Sequence, residues 1–415
     1  MTHFVAPALL LAAGLALCVV AQRSGWAPSL RAALAVGAVL RVVVWIIAAT
    51  SSWQPYDFHF DFSGAAAAVL HHHDPMLSVR ARGWPFLPTM AFLMAGELKL
   101  GQLTHLSWPV AGRLVPVLAD LALIPLVGRL AGERAALRRF QYACNPIAIM
   151  VCAIHGQLEP EVLALGVGAL LLARSRRSAA SGLALGLSMA VGSWSLLLAP
   201  GILIALPDWR HRLRAALCAI AVPVVILLTS PLTVGTPVGR LPDVVRGVTS
   251  LRPVIGNWGW TALVTRGHGE LSPLLGRVGT IALIAALLTA GYLWRRADST
   301  DLTSALLITF LLVSPRVGAQ YFAWPLPYLT ARPTRYAAPA LAVATAWAGF
   351  GYLFLSRQFL WFHSNMWALA SWCVIPLLFL AMPWARRRPA GGPQGVPGDD
   401  AVVPQAVTES SPGPG

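Results

Sequence analysis

The sequence predicts an all-α polytopic membrane protein with about 11 to 14 transmembrane or re-entrant helices, counting its apolar runs against the ~20 residues a helix needs to cross a bilayer. Three observations lead there. The chain is 57% hydrophobic and 11% charged, against about 25% charged in an ordinary soluble domain. Its mean hydropathy is +0.66. Its arginines gather in short loops between apolar runs, the pattern of the positive-inside rule.

Taken in order, full-length spans are expected at 4–21, 32–50, 84–103, 109–130, 214–232, 276–294, 336–355 and 365–385. Residues 4–21 lack a basic leader and a small-residue cleavage site, so they read as a retained span. Shorter apolar segments at 144–155, 160–173, 179–193, 195–207, 302–314 and 322–332 read as half-helices or hairpins packed inside the protein. One integral membrane domain, 1–388, carries an external loop at 51–83. The Pro-, Gly- and Ser-rich stretch 389–415 has nothing to bury and reads as a disordered cytoplasmic tail. Basic loops at 22–31, 174–177, 210–214, 295–296, 331–335 and 386–388 are expected in the cytoplasm, leaving 51–83, 233–275, 315–321 and 356–364 outside. One conflict follows. Arg134, Arg138 and Arg139 belong with the cytoplasmic loops, yet counting full spans from residue 84 puts them outside, so one segment between 84 and 155 is re-entrant or that loop breaks the rule.

The net charge of +15 is explained by those loops. No basic segment interleaved with aromatics lies outside them, which excludes nucleic acid as a partner. Lys99 is the only lysine, a bias that points to a GC-rich bacterial genome and hence to the plasma membrane. Cys18, Cys144, Cys152, Cys218 and Cys373 are scattered in or beside apolar runs and form neither a metal nor a disulfide framework. Phosphate-loop, dinucleotide and nucleophile-elbow motifs are absent, so an enzyme built this way takes an activated substrate through the membrane.

Four polar islands interrupt the apolar sequence. The first runs Tyr56-Asp57-Phe58-His59-Phe60-Asp61-Phe62, then through an alanine-rich stretch to His73-Asp74-Pro75. In a chain with only 16 acidic residues, an acid at the aqueous mouth of a span is a candidate to take a proton from a hydroxyl. The alternative is a solvated loop acid. The second is Asn145-Pro146 followed by His155-Gly156-Gln157-Leu158-Glu159-Pro160-Glu161, ionisable groups at membrane depth that are costly unless they are used. The third is Ser314-Pro315-Arg316, continuing to Gln320-Tyr321 and Trp324-Pro325; its external arginine can hold a phosphate, of a substrate or of a lipid. The fourth is Arg41 with Asp120, which pair with each other or with substrate. His71-His72-His73-Asp74 invites a metal reading, but neighbours in sequence do not share a helix face, so at most two could bind one ion. Gly256-Asn257-Trp258-Gly259-Trp260 can stack a sugar or anchor a loop at the interface.

In this order the islands resemble the GT-C superfamily of integral-membrane glycosyltransferases, most closely the polyprenyl-phosphate-mannose-dependent enzymes. The resemblance spans residues 41–328 and rests on the acidic, aromatic first loop, the Asn145-Pro146 to Glu159 element and the Ser314-Pro315 to Trp324-Pro325 element. It departs at His72, where glycine is usual, at Met76, where tyrosine is usual, at Phe86-Leu87-Pro88, and at Ser193-Trp194-Ser195, where some relatives carry a basic residue. It implies a GT-C-like helical fold that transfers a sugar, mannose, from a polyprenyl-phosphate donor to a hydroxyl of a glycolipid, glycan or protein at the external face, with inversion. It implies Asp57 as general base with Asp61 second, and Arg41, His155, Gln157, Glu159, Arg316, Gln320 and Tyr321 as substrate-binding residues. No cofactor is implied; a divalent metal is compatible but no pattern indicates one. A flippase of lipid-linked intermediates and a non-catalytic membrane scaffold remain as alternatives, both of which would tolerate loss of Asp57.

Overall fold

The computed structural model describes residues 2–78, 86–249, 258–267, 271–355 and 365–384, and every regular element among them is helical. The expected tail 389–415, the basic cluster at 386–388, the loop 356–364, Gly256-Asn257 and the end of the 51–83 loop lie outside the described residues. Among those described, six helices are long and apolar enough to cross a membrane: Val5–Ser24, Leu30–Ala49, Trp108–Ala143, Trp209–Thr233, Pro273–Leu293 and Ala337–Leu355. Shorter apolar helices at Pro146–His155, Ser178–Val191, Ser193–Ala205, Ser299–Val313 and Asn365–Ala381 complete the bundle.

The helices that position the site are α1 (Thr2–Ser24), α2 (Leu30–Ala49), α3 (Ser63–Leu70), α4 (Pro88–Thr104), α5 (Leu114–Ala131), α6 (Ala135–Ala143), α7 (Glu159–Arg174), α8 (Ser178–Val191), α9 (Trp209–Thr233), α10 (Pro273–Leu293), α11 (Ser299–Val313), α12 (Leu326–Ala331) and α13 (Ala337–Phe350). Burial separates centre from rim. The Trp108–Ala143 stretch is 50% buried in its most apolar window, whereas α9 and α10 are 17% buried. The leucines those rim helices leave exposed, such as Leu232 and Leu288, suit lipid rather than water.

Small residues let helices approach closely where no hydrophobic force drives them together. On α8, Gly182 and Gly186 face α9. A Cβ on Gly182 would stand 2.2 Å from the Ala215 carbonyl oxygen, and one on Gly186 would stand 2.7 Å from that of Ala219. The two glycines thus form a Gly-x-x-x-Gly seam on which the two backbones lie almost in contact.

The bundle has two distinct ends. At one, Arg139 Nη2 donates to the Pro28 carbonyl (3.0 Å), Arg174 pairs with Asp298 (2.8 Å) and Arg332 pairs with Asp301 (3.0 Å). Arg134 and Arg138 line a cavity there with Arg332. The arginines of the sequence conflict therefore sit with the other basic loops. At the opposite end, Trp108 Nε1 donates to the Phe58 carbonyl (2.9 Å) and His155 meets Tyr352 (2.9 Å).

The conflict resolves in α4, and the expectation of a full span at 84–103 is corrected. At 1.5 Å per residue a helix of this length covers about 26 Å, short of the ~30 Å hydrocarbon core. Leu87 at its start shares an apolar core with Phe58, and Trp108, four residues past its end, bonds the Phe58 carbonyl, so both ends lie at the end of the bundle that holds Phe58. Leu87, Met90 and Met94 pack with Phe58, Phe62, Leu158 and Val234 in a second apolar core, separate from the main one. Glu97, in the middle of α4, accepts a hydrogen bond from the Val115 amide in the first turn of α5 (2.7 Å). A carboxylate at that position satisfies a helix-start amide that has no partner within its own helix. So α4 lies across the mouth of α5 and returns the chain to the same end.

Candidate active site

Asp57 is set by the residue that follows it. His59 N bonds Pro55 O (2.8 Å) and opens a π-helical turn over Asp57–Phe62, which continues into α3. In that turn Phe58 and Phe62 point inward while His59 and Phe60 stay exposed. The Phe58 ring stacks on Trp108 at 5.3 Å and lies 4.1 Å beneath the Arg113 guanidinium. Arg113 is fixed in turn, donating to the carbonyls of Ile154 (2.6 Å) and Pro109 (2.6 Å) and to Gln54 Oε1 (2.7 Å). Phe58 also abuts Gly156: a Cβ there would stand 2.6 Å from its ring, and Gly156 has φ +71°, a left-handed conformation that favours glycine. That glycine ends the Met150–His155 π-helical segment and delivers His155 and Gln157 to the loop acid.

The Asp57 carboxylate receives a fan of donors. His155 Nε2 lies 2.9 Å from Oδ1 and 3.2 Å from Oδ2; the Phe58 amide donates to Oδ1 (2.9 Å), and Gln157 Nε2 donates to Oδ2. On the far side of the imidazole, Nδ1 is 2.9 Å from the Tyr352 hydroxyl. One tautomer serves both contacts: Nε2–H donates to Asp57 and Nδ1 accepts from Tyr352. Burial pushes the Asp57 carboxyl up. The attraction of the His155 imidazole, its hydrogen bond, the Phe58 amide and the Gln157 amide outweigh that and hold the group below the ordinary carboxylate range. The side chain nonetheless stays 35% exposed, which leaves a face of the carboxylate open.

Beside this cluster is a second polar group. Glu159 is buried, two residues past Gln157, and Glu159, Arg316 and Asp57 are all within electrostatic reach of Tyr321. Ser314 pins the Arg316 loop, its hydroxyl accepting from the Arg316 amide (3.0 Å) and donating to the Arg316 carbonyl (2.8 Å). Trp324 stacks on Tyr321 at 4.2 Å and on Trp194 at 3.9 Å. Among the described residues the buried polar atoms around this wall are short of partners: Arg316 Nε has none, and Glu159 Oε2 and Trp324 Nε1 have at most each other. Unpaired buried polar atoms are costly, and several together mark a place for a polar ligand.

A narrow, largely apolar groove borders the cluster. It is lined by Pro7 of α1, by Val44, Ile47 and Ala48 of α2, and by Trp53 and Leu353, and its cavity volume is about 30 Å³. Its polar end is formed by Arg113 and Tyr352.

Of the residues singled out from sequence, the structure brings Asp57, His155 and Gln157 into direct contact and sets Glu159, Arg316 and Tyr321 beside them. Asp61 lies half-buried on the next turn after Asp57. Gln320 folds back over Gly318 in its own loop. Arg41 is not at this site. It is fully buried in α2, with Nε 2.6 Å from Asp120 Oδ2 and Nη1 donating to the carbonyls of Ala143 (2.7 Å) and Gly37 (3.0 Å). Asp120 is held further by the Tyr142 hydroxyl (2.6 Å). Of the two readings the sequence left for Arg41, the geometry matches the ion pair with Asp120. Asp74 accepts from the Met76 amide (2.7 Å), the role of a helix cap. Among the described residues no three His, Cys, Asp or Glu side chains are grouped to hold a metal. Sequence reasoning missed Tyr352 and Arg113. Arg113, an arginine inside the 109–130 run, carried the same signal that picked out Arg41.

The family model for glycosyltransferase family 87 matches residues 84–315, more than half of the chain. The match contains His155, Gln157 and Glu159; it begins after Asp57 and ends one residue before Arg316. No curated protein matches the chain.

Proposed function

The chain belongs to glycosyltransferase family 87, and from that premise we propose that it moves a mannosyl group from a polyprenyl-phosphate donor to an acceptor hydroxyl, by direct displacement with inversion. The family makes it a glycosyltransferase, with a sugar donor and an acceptor. The donor, the sugar and the roles of individual residues are our reading.

In that reading the acceptor hydroxyl approaches the exposed face of Asp57. As its oxygen attacks the anomeric carbon, its proton passes to the carboxylate. The bond from the anomeric carbon to the phosphate oxygen breaks on the opposite face, which inverts the centre. The polyprenyl phosphate leaves with the electron pair, and the Arg316 guanidinium meets its charge. His155 and Gln157 hold Asp57 in the ionised, aimed state that this step needs. Glu159 Oε2 and Trp324 Nε1 are available to the sugar hydroxyls or the phosphate. The apolar residues of the groove would line the first part of the polyprenyl chain, and its polar end, Arg113 and Tyr352, is next to His155.

The observation that carries the proposal is the Asp57–His155–Tyr352 chain set at the end of that groove. The test uses membranes containing the protein and labelled polyprenyl-phosphate mannose. Wild-type protein should transfer label to endogenous acceptor, and Asp57→Asn, at matched expression, should fall by about 10²- to 10⁴-fold, the usual contribution of a general base. Equal transfer by the variant would remove Asp57 from the role and turn attention to Asp61. Wild-type transfer from a different lipid-linked sugar, and none from mannose, would overturn the donor assignment while leaving the base intact.

A further inference from the structure

A second, open cavity, of about 220 Å³, lies at the basic end of the bundle, lined by Arg134, Arg138, Ala331, Arg332 and Pro333. We propose that it is a binding site for a phosphate anion, carried by a phospholipid headgroup or free in solution, and separate from the transferase site.

The charge there is unbalanced. Arg332 is committed to Asp301 (3.0 Å) and Asp298 (3.9 Å). Among the described residues, no carboxylate pairs with Arg134 or Arg138. Arg138 is only 8% exposed. Its Nη1 donates to Gln141 Oε1 (2.6 Å), while its Nε is buried without a partner among the described residues. Arg134, from the turn that precedes α6, adds like-charge repulsion. A guanidinium this buried, beside another, is stable when an anion completes the set.

The class of anion follows from the donors. The guanidinium groups of Arg134 and Arg138, four residues apart at the start of α6, line one space, and their forks match the several equivalent oxygens of a phosphate. A lone side-chain carboxylate would offer two oxygens and a single charge. The location favours a headgroup, because basic pockets between helix ends lie where anionic lipid phosphates sit. This cavity and the Asp57 cluster lie at opposite ends of α5, so the anion here is not the donor phosphate.

The test uses the purified full-length protein in neutral detergent. Retention of phosphatidylglycerol and of phosphatidylcholine is compared by native mass spectrometry, and inorganic phosphate is titrated in a thermal-shift assay. The wild type should retain phosphatidylglycerol in preference to phosphatidylcholine, and Arg134→Gln and Arg138→Gln should each weaken that preference at least fivefold. A thermal shift with inorganic phosphate, lost in the same variants, would assign the site to soluble phosphate instead of lipid. Should Arg138→Gln fail to fold, Arg134→Gln decides alone, since Arg134 is exposed. The proposal is overturned if neither anion binds selectively, or if both variants bind as the wild type does. Transfer activity does not enter this test, so its outcome is independent of the assigned reaction.

Discussion

Asp57 is a base held ionised, and this fixes how its chemistry depends on pH. Its carboxyl lies below the ordinary carboxylate range because His155, the Phe58 amide and Gln157 outweigh its burial. A base works while it is deprotonated, so the acid limb assigned to Asp57 in the transfer rate should lie below the ~3.9 of a free aspartate. His155→Gln removes the strongest of the lowering contacts and leaves the burial, so the limb should move towards higher pH. Tyr352→Phe keeps the imidazole but strips Nδ1 of the hydroxyl it meets at 2.9 Å. An unsatisfied buried acceptor costs about 1–3 kcal/mol, and the loss should appear in kcat as a drop of roughly 5- to 150-fold with KM little changed. The measurement is a pH–rate profile of sugar transfer for the three proteins. An acid limb that stays in place in His155→Gln would mean that the contact positions Asp57 without tuning it.

Among the elements, the seam between α8 and α9 is a contact with no room for a larger side chain. Gly182 and Gly186 stand where a Cβ would strike the carbonyls of Ala215 and Ala219. Backbone cannot swing aside as a long side chain can, so the helices must separate. Gly182→Leu should therefore cost at least the 1–3 kcal/mol typical of an overpacked core and lower the thermal midpoint and the monodisperse yield in detergent. Gly168→Leu, on the neighbouring α7 where an added Cβ meets nothing within 4 Å, is the control and should behave as wild type. Equal losses in the two variants would assign the effect to helix propensity or expression instead of the close approach. The seam bears on the site because Ala190 and Val191 of α8, and Val234 just past the end of α9, help to form the second core with Phe58 and α4.

For the whole molecule, what the sequence could reveal depended on how far apart the partners are in the chain. The helical membrane class was legible because apolar runs are local. The polar islands were legible because charge stands out against them, and folding brings two of them together at Asp57, His155 and Gln157. Tyr352 was not, since one tyrosine in an apolar run resembles any interfacial aromatic until its contact with His155, 197 residues away, is known. The path of residues 84–155 was ambiguous for a similar reason: α4 has the composition of a span, and only the Glu97 contact to the start of α5 shows that it turns back. That path makes a prediction about sidedness. His105, at the end of α4, should lie on the same membrane face as Ser52, and Arg134 on the opposite one; all three are exposed. With Cys373, the exposed native thiol, replaced by serine, single His105→Cys, Ser52→Cys and Arg134→Cys proteins can be labelled in intact cells with an impermeant maleimide. The first two should react from one side and Arg134→Cys only after the membrane is opened. If His105→Cys instead tracks with Arg134→Cys, α4 crosses the membrane, and the helix that roofs the Asp57 site would have to be one of the spans.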